Sequence, residues 1–539
     1  MTTILNSHRA AWLAFCILAV CYFTTVSGYS LNVPYSDDFH QQIYTAIQLE
    51  QGADVTASLF RQHNVHRLFT THIGTSIEYA ISGKVNLDNQ LLVALVLLIS
   101  LVLVVASFSH RKHRPIVLLV ASLLLLSPEH SATWVGGTTQ YYALILFSLL
   151  SLKWLNHIEK PWYLFASIVA LFLAIYSMIG GVLVPVVGLG YLLMSRKIIK
   201  HSSLIWVASS LAFLIGYFST YESHQNQPSI WFFLQQPGFT FEFTFRMLSN
   251  FLSDLIEPNL LWYLGILVFA GFFVIIIRNR SIPSLMASPE GIAFLYVLLM
   301  IGSVVAGRVG FQEQVGAYAD RYFVYTKTLW LLGLIILLNR QLVSKNALAF
   351  IVGVSTLFML ATYHSESRNL AAHQQAQSNA MVDFLVRGNP LGFEFANQPA
   401  KAGGLVKKAM ALGVYTPGLL ATPSRELKYL KYADFTDGLE ATVVRDNRLG
   451  SFRYFTFAVH NSAQVHEVVL VPQIVDGPAF LLKAAAEVES SRLQLADLQA
   501  SEGGGRIYQV VIDTSMLDSS LSYDVFLISL GMITTIGEI

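Results

Sequence analysis

Eleven apolar stretches that carry almost no charge govern what this chain can fold into. Crossing a bilayer takes about 20 apolar residues at 1.5 Å rise each, within a range near 17–25. The stretches lie near 10–31, 89–109, 115–130, 139–155, 161–177, 179–195, 203–221, 259–277, 290–306, 322–339 and 347–363. Hydrophobic residues make up 54% of the 539 positions and charged residues 12%, against about 25% charged in a soluble domain. Much of the surface therefore meets lipid, and the fold class expected is a polytopic α-helical membrane protein of about 11 spans. Residues 10–31 exceed a typical signal-peptide core and are followed by further spans, so they read as a retained anchor.

With 34 basic and 33 acidic residues the net charge is +1, which leaves no electrostatic footprint for nucleic acid. The charges are sorted by loop instead. His110-Arg-Lys-His-Arg114, Lys153 with Lys160, Arg196-Lys197 with Lys200, Arg278 with Arg280, and Arg340 with Lys345 fall on alternate connections. By the positive-inside rule that face is cytoplasmic, and His8 and Arg9 place the N-terminus with it. An odd number of spans then puts the C-terminal region outside. Cys16 and Cys21 share one helix five residues apart, a separation that does not face two thiols together.

The outer face is expected to receive the long pieces: loops 32–88, 222–258 and 307–321, the connection 128–138, and everything after about 364. A transmembrane domain of residues 1–365 would then precede an extracytoplasmic domain of residues 366–539. Breakers such as Gly388-Asn-Pro390 and Gly403-Gly404 interrupt a helical pattern across 366–430. Between 439 and 530 the period turns to two, as in Phe452-Arg-Tyr-Phe-Thr-Phe-Ala-Val459 and Tyr523-Asp-Val-Phe-Leu-Ile528, which predicts a small β-sandwich.

Candidate chemistry gathers on that outer face. In Pro34-Tyr-Ser-Asp-Asp38, Ser36 reads as a helix N-cap with Asp37 and Asp38 in the first turn. Phe39, Ile43 and Ile47 give the helix one apolar stripe, and Gly52 ends it. The two carboxylates either complement the helix dipole or serve as a general base or divalent-cation ligands. In Arg61-Gln-His-Asn-Val-His-Arg67, a helix would stack His63 over Arg67 on one face and Gln62 over His66 on its neighbour, giving one polar patch. This is a solvated face, or Arg67 forks onto phosphate while His63, Asn64 and His66 meet a sugar, or His63 and His66 begin a metal site, for which a third ligand of clear spacing is lacking. Glu129, His130, Trp134 and Gln140 share the next outer connection. Trp134 reads as an interfacial anchor or as a stacking platform for a sugar whose hydroxyl Gln140 bonds. Arg308 and Arg321-Tyr322 bracket the loop at 307–321, where outer ends are normally poor in cations. They either snorkel to headgroups or seat a phosphate. Lys327 lies inside the following span, where an ionisable residue is a functional candidate by default.

Taken in order, Tyr35-Ser-Asp-Asp38, His63-Asn-Val-His-Arg67, Trp134 through Gln140, Tyr176-Ser-Met-Ile-Gly-Gly181 and Arg308 with Arg321-Tyr322 resemble the GT-C class of polyprenyl-phosphate-dependent glycosyltransferases. The resemblance covers about residues 10–365. It implies a multi-pass protein of the bacterial inner membrane that moves a sugar from a polyprenyl-phosphate donor to an envelope glycan, lipid or protein acceptor. It also implies that the catalytic carboxylate is Asp37 or Asp38. Where related motifs read Asn-Glu-His-Arg, this chain has Asn64-Val-His-Arg67, so the acid is missing there. No cofactor is required by the reading, although a divalent cation (Mg or Mn) could assist. Two other classes compete: an O-antigen polymerase or ligase, for which a large outer loop between late spans is expected, and a lipid or solute transporter, for which mid-membrane charges are expected.

Overall fold

The computed structural model describes residues 8–64, 66–128, 139–222, 231–253, 255–278, 285, 287–311, 319–388, 390–393 and 398–418, together with eight strands between 441 and 538. Among these residues, each of the eleven apolar stretches contains a helix. The long helices are α1 (His8–Tyr29), α5 (Leu87–Ala106), α6 (Arg114–Leu125), α7 (Thr139–Leu155), α8 (Pro161–Ser177), α9 (Leu183–Met194), α10 (His201–Phe218), α12 (Pro258–Arg278), α13 (Pro289–Arg308), α14 (Phe323–Asn339) and α15 (Lys345–Arg387). Shorter helices α2 (Tyr44–Glu50), α3 (Val55–Leu59) and α4 (Phe69–Ser82) occupy the first long loop, and α11 (Pro237–Leu248) and α16 (Pro399–Ala411) later ones. Among the described residues, five helices are long and apolar enough to cross a membrane: α1, α5, α10, α13 with its short continuation to Phe311, and the Lys345–Ser378 part of α15. Large side chains such as Leu13, Val96, Ile215, Leu267 and Phe350 stand more than 60% exposed on these and neighbouring helices, which fits a surface bathed in lipid. The chain is a polytopic helical membrane protein.

Two compact units divide the described residues. The first comprises Met1–Ser30, His40–Ser82 and Asp88–Leu370. Its helices begin where proline costs no hydrogen bond, with Pro115, Pro161, Pro237 and Pro289 in first turns. Close helix packing uses small polar residues. Ser151 donates to the Ser167 carbonyl at 3.0 Å, Ser167 returns a bond to the Ser151 carbonyl at 2.9 Å, and Trp206 Nε1 donates to Ser167 Oγ at 3.0 Å. Gly188 admits the Trp206 ring, since a Cβ there would lie 2.4 Å from the indole.

Leu31–Phe39, Gly83–Leu87 and Ala371–Ile539 form the second unit. Asn32 staples its three segments together. Asn32 Nδ2 donates to the Thr416 carbonyl at 2.6 Å, while its Oδ1 accepts from Leu87 N at 2.8 Å. The Asn32 carbonyl accepts from Gly418 N at 3.0 Å and from the Tyr415 hydroxyl at 2.5 Å. Val85 N adds a bond to the Val414 carbonyl at 2.8 Å. Its strands form two four-stranded antiparallel sheets, one joining Met532–Glu538, Tyr523–Ser529, Val465–Pro472 and Phe480–Lys483 in that order, the other Ala441–Leu449, Phe452–Val459, Arg506–Asp513 and Leu493–Ala500. The period-two stretches at 452–459 and 523–528 lie in these strands.

Candidate functional site

Local backbone chemistry separates the two aspartates. Ser36 does not cap the helix. It takes a left-handed φ of +47°, which turns the chain so that Asp38 N donates to the Tyr35 carbonyl at 3.0 Å. The Asp38 side chain reaches back, and Tyr35 N donates to its Oδ2 at 3.0 Å. The Asp38 carboxylate thus supplies the returning half of a capping box, while the other bond is a backbone turn onto the Tyr35 carbonyl. Asp38 is completely buried, and burial pushes its carboxyl well above the usual carboxylate range; the Tyr35 amide opposes the shift and the neighbouring Asp37 adds to it. Asp37 keeps partial access to solvent. Beyond the turn the helix opens with a π-helical turn, Phe39–Ile43, runs on as α2, and ends as expected at Gly52 with φ +79°. Phe39, Ile43 and Ile47 are all fully buried, so the stripe faces protein.

A hairpin replaces the helix expected at 61–67. Gln62–His63 (β1) and His66–Arg67 (β2) pair antiparallel, with Gln62 opposite Arg67 and His63 opposite His66. Asn64 makes the turn at φ +51°, a conformation asparagine tolerates better than most residues. The two imidazoles are therefore cross-strand neighbours rather than helical ones. His63 packs against the His40 ring at 5.7 Å between centroids and contacts Asn64 Nδ2 at 3.2 Å through its Nε2; Asn64 itself is exposed.

Arg67 is buried and heavily engaged. Its Nε and Nη2 donate to the Tyr217 carbonyl at 3.2 and 3.1 Å, Nη2 also to Thr220 Oγ1 at 2.6 Å, and Nη1 to the Phe60 carbonyl at 2.5 Å. The guanidinium lies 5.4 Å from the Tyr217 ring. Four bonds to three protein oxygens make this side chain a strut that ties the hairpin to the end of α10. Arg61 plays a similar part below, donating to the His40 carbonyl at 3.0 Å and Thr45 Oγ1 at 2.8 Å while covering the Tyr44 ring.

The hairpin rests on the turn between α8 and α9. Ile179 N donates to His66 Nδ1 at 3.5 Å, and Thr70 Oγ1 bonds Ser177 Oγ at 3.2 Å. Gly181 is obligatory in that turn, because a Cβ would lie 2.1 Å from the Ala174 carbonyl oxygen. From here the contacts pass inward. Tyr296 donates to the Gly180 carbonyl at 3.5 Å, and the Tyr325 hydroxyl meets Met178 Sδ at 3.7 Å. Tyr325 stacks on Tyr322 with 6.0 Å between centroids, and Tyr141 packs against both at 6.0 and 6.2 Å. The two arginines close the array. Arg308 Nε donates to the Tyr322 hydroxyl at 3.0 Å, and the Arg321 guanidinium lies 5.4 Å from the same ring; both arginines are half-buried.

One helical turn and a half beyond Arg321, Lys327 is fully buried, and its Nζ donates to Ser127 Oγ at 2.8 Å. Gln140 is buried as well, its Oε1 accepting from Thr71 Oγ1 at 3.1 Å. Glu129, His130 and Trp134 lie outside the described residues. Among the described residues no group of three or more His, Cys, Asp or Glu side chains is placed to share a metal ion.

Several contributors escaped the sequence reading. Tyr141, Tyr296 and Tyr325 look like ordinary span residues, and only their grouping gives them a role. His72, on α4 beneath the hairpin, is fully buried, with Nδ1 3.4 Å from the Leu59 carbonyl oxygen. Burial pushes its imidazolium down to about 3, the Arg61 charge acts in the same direction, and the Leu59 carbonyl opposes both. A histidine flanked by Thr70, Thr71, Gly74 and Thr75 on a helix outside the apolar spans was the available signal.

No family model matches this chain, and no curated protein matches it. Among solved structures, ArnT from Cupriavidus metallidurans in the apo state is similar across 71% of this chain and 81% of that one, at 14% identity and a TM-score of 0.44. Identity and score this low leave activity to be argued from the residues themselves.

Proposed function

We propose that this protein is a membrane glycosyltransferase that takes a sugar from a polyprenyl-phosphate donor and delivers it to an envelope acceptor on the extracytoplasmic side of a bacterial inner membrane. One observation supports the reading above others. The hairpin at 62–67, the turn at 177–182 and the Arg308–Tyr322–Arg321 cluster are separated by up to about 250 residues, yet a continuous run of contacts joins them. These are three of the five segments that carry the resemblance to the GT-C class.

In the proposed reaction the acceptor hydroxyl oxygen attacks the anomeric carbon and its proton passes to Asp37. The bond from that carbon to the phosphate oxygen breaks, and the electron pair leaves with the polyprenyl phosphate. A single displacement inverts the anomeric configuration. Asp37 is preferred over Asp38 as the base because it reaches solvent, whereas Asp38 is buried and bonded to the Tyr35 amide. Two adjacent carboxylates in such different surroundings are suited to different tasks. Arg308 and Arg321 would receive the charge that grows on the leaving phosphate, and Lys327, buried and bonded to Ser127, would support that end of α14. His63, Asn64 and His66 would border the sugar or acceptor, and Gln140 would help hold that border. Arg67 holds the scaffold.

The test is sugar transfer by the purified protein in liposomes, together with mass spectrometry of envelope glycans and lipids from cells carrying each variant. Asp37→Asn should lower transfer by about 10²–10⁴, the usual contribution of a general base. Asp38→Asn keeps an oxygen for the Tyr35 amide and should lose far less. Full activity in Asp37→Asn rules out the assignment, and an unaltered envelope in cells lacking the protein rules out the function.

A further inference from the structure

A second site stands at the opposite end of the first unit's helices from the hairpin. A cavity of about 200 Å3 opens between α1, α5 and α6, walled by Ala11, Trp12 and Leu118 and edged by His8, Ser107 and Arg114. Lys153 joins it from α7, donating through Nζ to Ser107 Oγ and lying 5.3 Å from the Phe108 ring. Arg114 and Lys153 are near enough to repel each other. Among the described residues neither has an acidic side chain within ion-pair distance, and no carboxylate lines the cavity. Two neighbouring cations without a counter-charge, on the rim of an apolar cleft between membrane helices, lack an anion that brings its own hydrocarbon.

We propose that this cleft binds an anionic phospholipid, with its phosphate against Arg114 and Lys153 and an acyl chain along Ala11, Trp12 and Leu118. The ends of α1, α5, α6 and α7 that meet here carry the basic residues assigned to the cytoplasmic face, where anionic lipids collect and basic pockets between helices take their headgroups. Trp12, 47% exposed, suits the level where headgroup meets chain. The site is independent of glycosyl transfer and requires only that the chain lie in a membrane.

Native mass spectrometry of the full chain in detergent tests this, using dioleoylphosphatidylglycerol and dioleoylphosphatidylcholine as probes with identical chains. The wild type should retain the glycerol lipid in preference. Arg114→Gln and Lys153→Met should each cut that preference about fivefold, the expected effect of one juxtamembrane cation. Arg114→Lys should keep it. Arg111→Gln removes an exposed charge from the same loop and should leave it unchanged. Equal retention of both lipids by the wild type overturns the proposal. So does an equal loss in Arg111→Gln and Arg114→Gln, which would mark diffuse attraction. Millimolar inorganic phosphate should not displace the lipid; displacement would mean that the acyl chain contributes nothing and would equally overturn the site.

Discussion

Acid should loosen the first long loop through His72. In the fold its imidazole is fully buried with a pKa of about 3, whereas an unfolded histidine titrates near 6.5. The folded state therefore binds fewer protons between those values. The stability this histidine contributes is fully present above about pH 6.5 and is lost as pH falls towards 3. At pH 5 the unfolded chain gains a protonation advantage of about 1.5 pH units, worth about 2 kcal/mol; at pH 7.5 the advantage is close to nothing. His72→Leu removes the titration while keeping an apolar side chain beside Leu59. Purified protein in micelles would be unfolded by heat or detergent at pH 7.5, 6 and 5, wild type and variant side by side. The wild type should lose about 2 kcal/mol relative to the variant between pH 7.5 and 5. Parallel pH profiles would refute the reasoning, because they would mean that the imidazole is solvated or paired in its charged form.

Arg67→Lys should cost about 3 kcal/mol, since an ammonium can satisfy at most part of the four guanidinium bonds and each charged bond is worth about 1.5–3 kcal/mol; unchanged unfolding with weakened donor binding would instead make Arg67 a phosphate ligand. Asp38→Asn should stabilise the protein at neutral pH and have little effect below about pH 4, because a raised folded pKa means that wild-type stability falls as pH climbs past the unfolded value. Arg308→Gln and Arg321→Gln should each lower kcat/KM for transfer by about 10²-fold, as for loss of one donor to a developing oxyanion, without shifting the thermal midpoint. Gly181→Ala should reduce the yield of folded protein, read by size-exclusion chromatography, because its methyl group would collide with the Ala174 carbonyl.

The helices were legible because lipid imposes a severe rule on the backbone and long apolar runs obey it. Every such run in the sequence contains a helix, including the one at 179–195, which opens with the short 3-10 turn at Ile179–Val182. The site was legible as a set of segments and not as geometry. At 61–67 the spacing predicts a helix, but Asn64 takes a left-handed backbone and the arginines bond carbonyls contributed by residues 21 and 150 positions away. At Ser36 the expected cap gave way to a bond from the neighbouring peptide, a contest settled by a single dihedral. Tyrosine clustering was invisible because Tyr141 lies on α7 while Tyr322 and Tyr325 sit at the start of α14, far away in sequence.

The Asn32 staple changes what counts as a removable piece of this protein. A cut after residue 365, drawn where hydropathy falls, would strip Leu31–Phe39 of the Val414–Gly418 backbone that clasps it. The loop carrying Asp37 and Asp38 would remain in the truncated chain but lose its clamp. Any experiment that deletes the C-terminal region to ask what it does would therefore disturb the carboxylates as well, and point substitutions at Asn32 or Tyr415 are the cleaner probe.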